Sequence, residues 1–356
     1  MTASASVARW AVVIPGFNHG DDTIACIQSV WSARPRPERI VLADDASTDK
    51  AVEKVVAWAQ ARGIPAAVEG NSGTGPTLPP GLTILTAEQN EGFNVTSNKG
   101  LACVRERTDA PYVLLLNNDA VVTGSFFAEL AAAIEHYPGV GVVGGTIYEW
   151  DRTTVWYAGG RYQPLRALST HDTTLPAAGT PWYTDWVSGC AMLISRDVLD
   201  SVGTLAPCFS PCYSEDVDYS LRARAAGFRL IVVPKAVAYH RVGASLGRPG
   251  RQRPEVVYAA SRNRAFVLRR NYRGMKRLAG IAYLSVTKPL RAAAQTLRGR
   301  PRTGWAILAG TIDGLLNPAA EAPVVLRSAA SAASAASAAS AASAAAAAPT
   351  AETGRS

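Results

Sequence analysis

The sequence predicts an α/β protein, a mostly parallel central sheet with helices on both faces, followed by a basic helical C-terminal extension. Three observations lead there. Apolar runs of strand length alternate with segments of helical periodicity over the first 150 residues. The runs are apolar throughout, as strands covered on both faces are. Basic residues crowd the last third of the chain.

The elements follow in order. WAVVIPGF reads as a first strand. Asp21 and Asp22 then stand where a helix N-cap belongs, and Ile24, Ile27, Val30 and Trp31 recur at helical spacing. RIVLADD is a second strand, STDKAVEKVVAWAQARG a helix closed by Gly63, and GNSGTGPTLPPG a surface loop. LTILTAEQN is a third strand, VTSNKGLACVRER a helix and YVLLLNND a fourth strand. GSFFAELAAAIEHYPG is a helix and VGVVGGTIY a fifth strand. Residues 157–186 lose all periodicity in favour of Gly, Pro, Thr and aromatics, the composition of a lid or substrate-facing region. WVSGCAMLISRDVLDSVG restarts regular structure. SEDVDYSLRARAAGFRLIVVPKAVAYH reads as an acidic helix start, a helix capped by Gly227, and a strand ending at His240. GWAILAGTIDGLLNP is a further helix. Residues 328–356, rich in Ala and Ser, bury too little to fold and read as a disordered or transiently helical tail.

At 356 residues, 48% hydrophobic and 18% charged, the chain has the composition of a globular protein of about two domains. WAVVIPGF is too short for a secretory signal, and no run of 18 uncharged apolar residues suggests a spanning helix. Five cysteines (26, 103, 190, 208 and 212) at irregular spacing point to a reducing compartment, with Cys208 and Cys212 read as small buried residues. Charge is uneven. Residues 1–240 hold 18 Lys/Arg against 24 Asp/Glu, and residues 241–356 hold 18 against 4. Such a basic end meets polyanions. No zinc, helix-turn-helix or RNA-binding motif accompanies it, so an anionic membrane surface is the expected partner and nucleic acid is not.

Ligands of parallel sheets bind beyond the carboxyl ends of the strands. Here those ends carry Asn18, then Asp44, Asp45, Ser47 and Asp49, then Asn90, then Asn117, Asn118 and Asp119. Wet loops account for any one polar end; four together point to one crevice. One carboxylate beside amide oxygens suits a hard divalent cation that arrives with a diphosphate, since Mg²⁺ takes few protein ligands and fills the rest with phosphate and water. The acids Glu215, Asp216 and Asp218 at a helix start suit either capping or chemistry. His240, at a strand end, is a further candidate ligand.

Eight segments, in order, are VVIPGFN, ADDASTD, NEGFNVTSNKG, LLLNNDAVV, SGCAMLISR, SEDVDYSLRARAAGF, AYH and YAASRNRAF. Together, over residues 12–270, they resemble the bacterial family 2 glycosyltransferases of the GT-A fold, particularly the rhamnosyltransferase and galactofuranosyltransferase branch. The chain is then expected to divide into a GT-A catalytic domain at 1–247, a basic helical extension at 248–327 and the tail at 328–356. Within the catalytic domain a nucleotide-sugar half covers about 8–150 and an acceptor half 151–247.

The resemblance implies roles for single residues. Asp44 reads the nucleotide base, with Pro15, Asn18, Asp45, Asn90, Gly92, Phe93, Asn98, Asn117 and Asn118 on the donor side. Mg²⁺ or Mn²⁺ sits on Asp119, helped by His240, and Asp216 is the general base. Trp186, Gly189, Glu215 and Arg262 lie on the acceptor side, with Trp186 stacking on a sugar and Arg262 in a Tyr-x-x-x-Arg-Asn element. Asn117 stands where the family has Asp, and Asp45 where Asn is common. The implied activity is inverting transfer of a sugar from dTDP-rhamnose or a UDP-sugar to a hydroxyl of a cell-envelope, lipid-linked or other glycan. The implied location is cytoplasmic, peripheral at the inner membrane face. Two other classes compete: a sugar nucleotidyltransferase, and a non-catalytic nucleotide-sugar or nucleic-acid binding protein. The first should carry a Gly-rich, basic loop after its first strand to hold a triphosphate, whereas PGFNHGDDT is acidic.

Overall fold

A computed structural model of the chain describes residues 6–321 apart from 8, 71–74, 177–178, 212 and 242–251. The tail at 328–356 and Cys212 lie outside the described residues. The first half alternates β1 (Ala11–Gly16), α1 (Gly20–Ser32), β2 (Arg39–Asp44), α2 (Ala51–Gln60), β3 (Ala66–Gly70), β4 (Gly81–Thr86), α3 (Phe93–Arg107) and β5 (Tyr112–Leu116). Next come β6 (Ala120–Val122), α4 (Phe126–His136), β7 (Val140–Glu149), β8 (Val155–Tyr157), β9 (Gly160–Gln163), β10 (Leu168–His171) and β11 (Trp182–Tyr183). The catalytic half closes with β12 (Ala191–Ser195), α5 (Arg196–Val202), α6 (Glu215–Ala225) and β13 (Arg229–His240). Three helices follow: α7 (Pro254–Asn271), α8 (Gly274–Leu297) and α9 (Pro301–Leu316).

One sheet of 11 strands forms the spine, in the order β11-β13-β7-β12-β5-β1-β2-β4-β3, with β6 beside β13 and β8 beside β7. β3, β4, β2, β1 and β5 are all parallel. All six residues of β1 are buried, as its unbroken apolar run requires. Its alternate side chains enter two cores: Val12 and Ile14 join Leu42, Leu114, Phe126 and Phe127, while Val13 joins Val41, Leu101, Leu115, Met192 and Tyr219.

The structure departs from the sequence reading in three places. β3 has no apolar run and alternates in exposure, because it is an edge strand with one wet face. β12, the segment AMLIS, runs antiparallel between β5 and β7, so the second half of the sheet is mixed. The aperiodic 157–186 region forms β9, β10 and β11 around two buried aromatics, Tyr157 and Trp186, whose backbone carbonyl accepts the Tyr157 hydroxyl at 2.6 Å.

The three C-terminal helices pack onto the elements before them. α9 meets α7 almost backbone to backbone. A methyl group on Gly310 would lie 2.3 Å from the Tyr258 carbonyl oxygen, and one on Gly314 2.4 Å from that of Arg262. Glycine is what permits the contact. Asp218, fully buried on α6, accepts from Arg222 at 2.8 Å, Arg270 at 3.1 Å and Asn271 at 2.8 Å, the last two on α7. No helix among the described residues is long and apolar enough to cross a membrane.

Candidate active site

The carboxyl ends of β2, β1 and β5 lie side by side and are knitted by their polar residues. After β1 the chain turns sharply through Asn18 and His19, both left-handed at φ 57°. The Asn18 N–H donates to Ser47 Oγ at 2.7 Å, and its side-chain oxygen accepts from Thr48 N at 2.7 Å. Asp44, 6% exposed, accepts from the N–H and hydroxyl of Ser47. Asp45, 3% exposed, takes the N–H groups of Glu91 at 2.8 Å and Gly92 at 2.9 Å, while Asn90 donates to its carbonyl at 3.4 Å. Asn118 donates to Thr23 Oγ1 at 3.0 Å and to the Asn18 carbonyl at 3.4 Å. Pro15 is buried within β1, and Phe93 is half-buried at the head of α3. Asn98 uses both ends of its amide on the Leu205 backbone, at 2.8 and 2.9 Å, as a brace between α3 and the acidic half.

A second group lies where β6 pairs with β13. That register sets Ala120 opposite His240, and the adjacent Asp119 Oδ1 lies 3.1 Å from His240 Nε2. Asn117 Nδ2 lies 3.4 Å from the same nitrogen. Burial works against a charged His240, but Cys190 and the Asp119 carboxylate outweigh it and raise its proton affinity well above the usual imidazole range. Among the described residues, two buried polar atoms here have no partner, Asn117 Oδ1 and His240 Nδ1. Among the described residues no three His, Cys, Asp or Glu side chains converge on one point. One carboxylate, one imidazole and an unpartnered amide oxygen fit a divalent cation that takes its remaining ligands from elsewhere.

The third group is acidic. α6 starts abruptly, with Tyr213 at φ 76° and Ser214 at φ 68°. Two consecutive non-glycine residues in the left-handed region persist only where surroundings over-determine them. The surroundings are Asn263, donating to the carbonyls of Phe209 at 3.1 Å and Tyr213 at 2.9 Å, and Arg262, donating to that of Ser210 at 2.6 Å. Arg262, expected toward the acceptor, thus stands behind the turn and braces it.

The turn aims three acids in different directions. Asp216 accepts the Gly189 N–H at 3.0 Å and the Val217 N–H at 2.8 Å. Burial raises its pKa, and those two N–H groups and nearby His171 pull the other way without cancelling it. Glu215 is pushed up to about 8 by burial and by the charge of Asp216, and its Oε2 has no partner. Burial favours the protonated form of both acids, and the two N–H groups favour ionising Asp216 ahead of Glu215. Asp218 is consumed by its two arginines and cannot serve as a base.

Two residues sit differently from expectation. Trp186 is only 3% exposed, its ring lies against Gly160 and its Nε1 donates to the Arg161 carbonyl at 3.4 Å, so it packs beneath the crevice. His171, at the end of β10, was not singled out by sequence. It is exposed and close to Asp216, with its ring centroid 4.6 Å from that of Trp156 and 5.1 Å from that of Trp186. Trp156 also packs against His240, at 5.2 Å, and so links the metal-type and acidic groups.

The mostly parallel sheet with polar strand ends is that of the GT-A fold. The sequence profile described as "Glycosyltransferase like family 2" matches residues 8–259, and the chain belongs to that family. An uncharacterized protein, y4gI of Sinorhizobium fredii, is 27% identical over 170 residues, which is 44% of this chain and 18% of that protein. The chain therefore spans under a fifth of this relative's length. Three solved structures share the fold at low identity. A crystal structure of GalNAc-T7 with UDP, GalNAc and Mn²⁺ has a TM-score of 0.59 at 16% identity, over 85% of this chain and 56% of that one. The mannosyltransferase PcManGT from Pyrobaculum calidifontis, in complex with GDP-Man and Mn²⁺, has 0.50 at 15%, over 87% of each chain. Staphylococcus aureus TarS has 0.51 at 15%, over 87% of this chain and 50% of that one.

Proposed function

We propose that this glycosyltransferase moves a sugar, with inversion, from dTDP-rhamnose or a UDP-sugar to a hydroxyl of a cell-envelope or lipid-linked glycan, with Asp216 as general base. The division of labour among Glu215, Asp216 and Asp218 carries the reading. Of the three, Asp216 alone carries two N–H bonds that favour its ionised form, and it makes no ion pair among the described residues. Its two N–H bonds leave lone pairs for an incoming hydroxyl. Taking that proton as attack proceeds makes a poor nucleophile adequate. One base acting opposite the leaving group inverts the anomeric carbon and needs no covalent intermediate.

Asp119 and His240, with Asn117 Oδ1 beside them, are the residues that would hold Mg²⁺ or Mn²⁺. When bound, such a cation stabilises negative charge on a leaving diphosphate. The Mn²⁺ and nucleotide ligands of GalNAc-T7 and PcManGT support this assignment. Asp44 would read the donor's base with Asn18 on the donor side, and the family resemblance to rhamnosyl- and galactofuranosyltransferases supports the choice of donor. The divisions at 1–247, 248–327 and 328–356 belong to the same reading.

A peripheral place on the inner membrane face is supported by α8 and α9. Met275, Leu278, Val286, Leu290 and Leu297 form an exposed stripe along α8, and Trp305, Ile312 and Leu316 another along α9. Lys276, Arg298 and Arg302 lie beside them in the sequence. Apolar side chains flanked by basic ones are what an anionic bilayer interface selects. The test is a panel of nucleotide-sugars offered to the purified protein with Mn²⁺, with the anomeric configuration of the product read by NMR. A retained configuration, or no turnover of any nucleotide-sugar, overturns the proposal.

A further inference from the structure

The helices of the extension enclose a cavity of about 240 Å³, away from the crevice. Arg264 of α7, Lys288, Arg291 and Gln295 of α8, and Arg300 after it, contribute to its wall. No carboxylate of the described residues lines it. Residues 241–302 contain a single acid, Glu255. Lys288 is the unusual member. It is 6% exposed, and no carboxylate pairs with it among the described residues. Burial, Arg264 and Arg291 together push its pKa down to about 7. Arg264 is anchored by the carbonyls of Ala167 and Arg166 at 2.5 and 2.8 Å, which fixes its guanidinium beside the lysine.

A buried ammonium without a counter-charge costs several kcal/mol, and a leucine or methionine at 288 would avoid that cost. An anion entering the cavity supplies the missing partner. The volume falls below the ~300–1,000 Å³ of sites for drug-sized ligands, so it suits a phosphate or diphosphate group and not a whole nucleotide. Guanidinium and ammonium groups together are the usual phosphate ligands. A second cavity, of about 520 Å³ beside Tyr183, makes the contrast. There Arg161 is paired with Asp172 at 3.2 Å and Arg224 with Asp185 at 2.6 Å.

We propose that the α7–α8–α9 cavity is a phosphate-binding site, in which Lys288, Arg291 and Arg264 take a phosphomonoester or diphosphate group. The site also touches the catalytic half. Gln252, on its wall, donates to the Tyr213 hydroxyl at 2.8 Å, two residues before Glu215. The phosphate of a lipid headgroup or lipid-linked acceptor and free phosphate share this chemistry.

The test is calorimetric titration and thermal melting of the full chain with inorganic phosphate and with pyrophosphate, against sodium chloride at equal ionic strength. Both anions are expected to raise the melting temperature beyond the chloride control. Lys288→Met is expected to melt higher than the parent without phosphate, because an unpaired buried charge is gone, and to bind phosphate at least ~10-fold more weakly, about 1.4 kcal/mol. Arg291→Gln, at an exposed position, should weaken binding with little change in the anion-free melting point. Equal responses to phosphate and chloride, or unchanged phosphate affinity in both variants, overturn the site. Flotation with vesicles containing phosphatidic acid or phosphatidylglycerol, matched in surface charge, separates the sources. Loss of a phosphatidic acid preference in Lys288→Met assigns the site to a lipid phosphate. Unchanged flotation beside weakened phosphate titration assigns it to a soluble one.

Discussion

The backbone N–H of Gly189 points at Asp216 Oδ2 from 3.0 Å, across the gap between β12 and α6. A second N–H, from Val217, meets the other oxygen at 2.8 Å. Together they fix a buried carboxyl in one orientation and favour its ionised form, while burial favours the proton on Glu215 beside it. Replacing Asp216 by Asn keeps the shape and removes the basicity. Transfer should fall by about 10²–10⁴-fold with donor affinity little changed. Donor titration alongside single-turnover kinetics checks this, and near-normal transfer would reassign the base.

Glu215 makes stability pH-dependent in an unusual direction. Its folded pKa of about 8 exceeds the ordinary value of 4.5, so the folded state holds the proton more tightly than the unfolded chain. Its contribution is complete below about 4.5 and is lost as the pH climbs from there to about 8. Glu215→Gln should flatten that slope and gain a few kcal/mol at the alkaline end, each pKa unit being worth about 1.4 kcal/mol. Urea midpoints at several pH values measure it. A parent protein whose stability rises between pH 5 and 8 in step with this residue would contradict the assignment.

Removing the proposed metal ligand should be severe. Asp119→Ala is expected to cost about 100-fold or more in rate, roughly 2.7 kcal/mol, and excess EDTA should abolish turnover of the parent. His240→Ala should raise the Mn²⁺ concentration needed for half-maximal rate, more mildly. Full activity in EDTA would remove the metal from the mechanism.

Asp218 should matter for folding instead of chemistry. Asp218→Ala strands Arg222 and Arg270 in the interior, both about 5% exposed. Breaking a buried pair from one side costs about 3–5 kcal/mol. Chemical denaturation should register that loss, while the fraction that stays folded binds donor normally. A stable but inactive variant would bring Asp218 back as a candidate base.

The exposed stripe on α8 and α9 gives a membrane prediction. Binding to anionic vesicles should weaken with added salt, and Leu290→Glu with Trp305→Glu should reduce it without slowing transfer to a soluble acceptor. Equal binding to neutral and anionic vesicles would reject an electrostatic attachment.

Much of the nucleotide half was legible because each local signal agreed with the global one. The run at β1 is apolar because both faces of the strand are covered, and the polar residues after β1, β2 and β5 mark where those strands leave the core. β3 was silent because an edge strand needs only one dry face. The antiparallel insertion of β12 was invisible because strand direction depends on pairing between segments far apart in sequence. His171 carried no signal, since a single imidazole in an aperiodic stretch gains meaning only when β10 brings it beside Asp216. Arg262 was noticed through its motif, but its contacts depend on the turn at Ser210, which periodicity cannot foresee.

The glycines that let α9 touch α7 have a further mechanical consequence. Gly314 rests on the Arg262 carbonyl, the Arg262 guanidinium grips the Ser210 carbonyl, and that turn leads to Asp216. Trp305, Ile312 and Leu316 ride on the same helix as Gly314. The outer apolar face and the buried acid are thus ends of one short, stiff train, with no slack tether between them. Any surface that the helical hairpin meets is set at a fixed height below the crevice. The protein would then act as a gauge, reaching hydroxyl groups that stand at one distance from that surface and passing over those held nearer or farther.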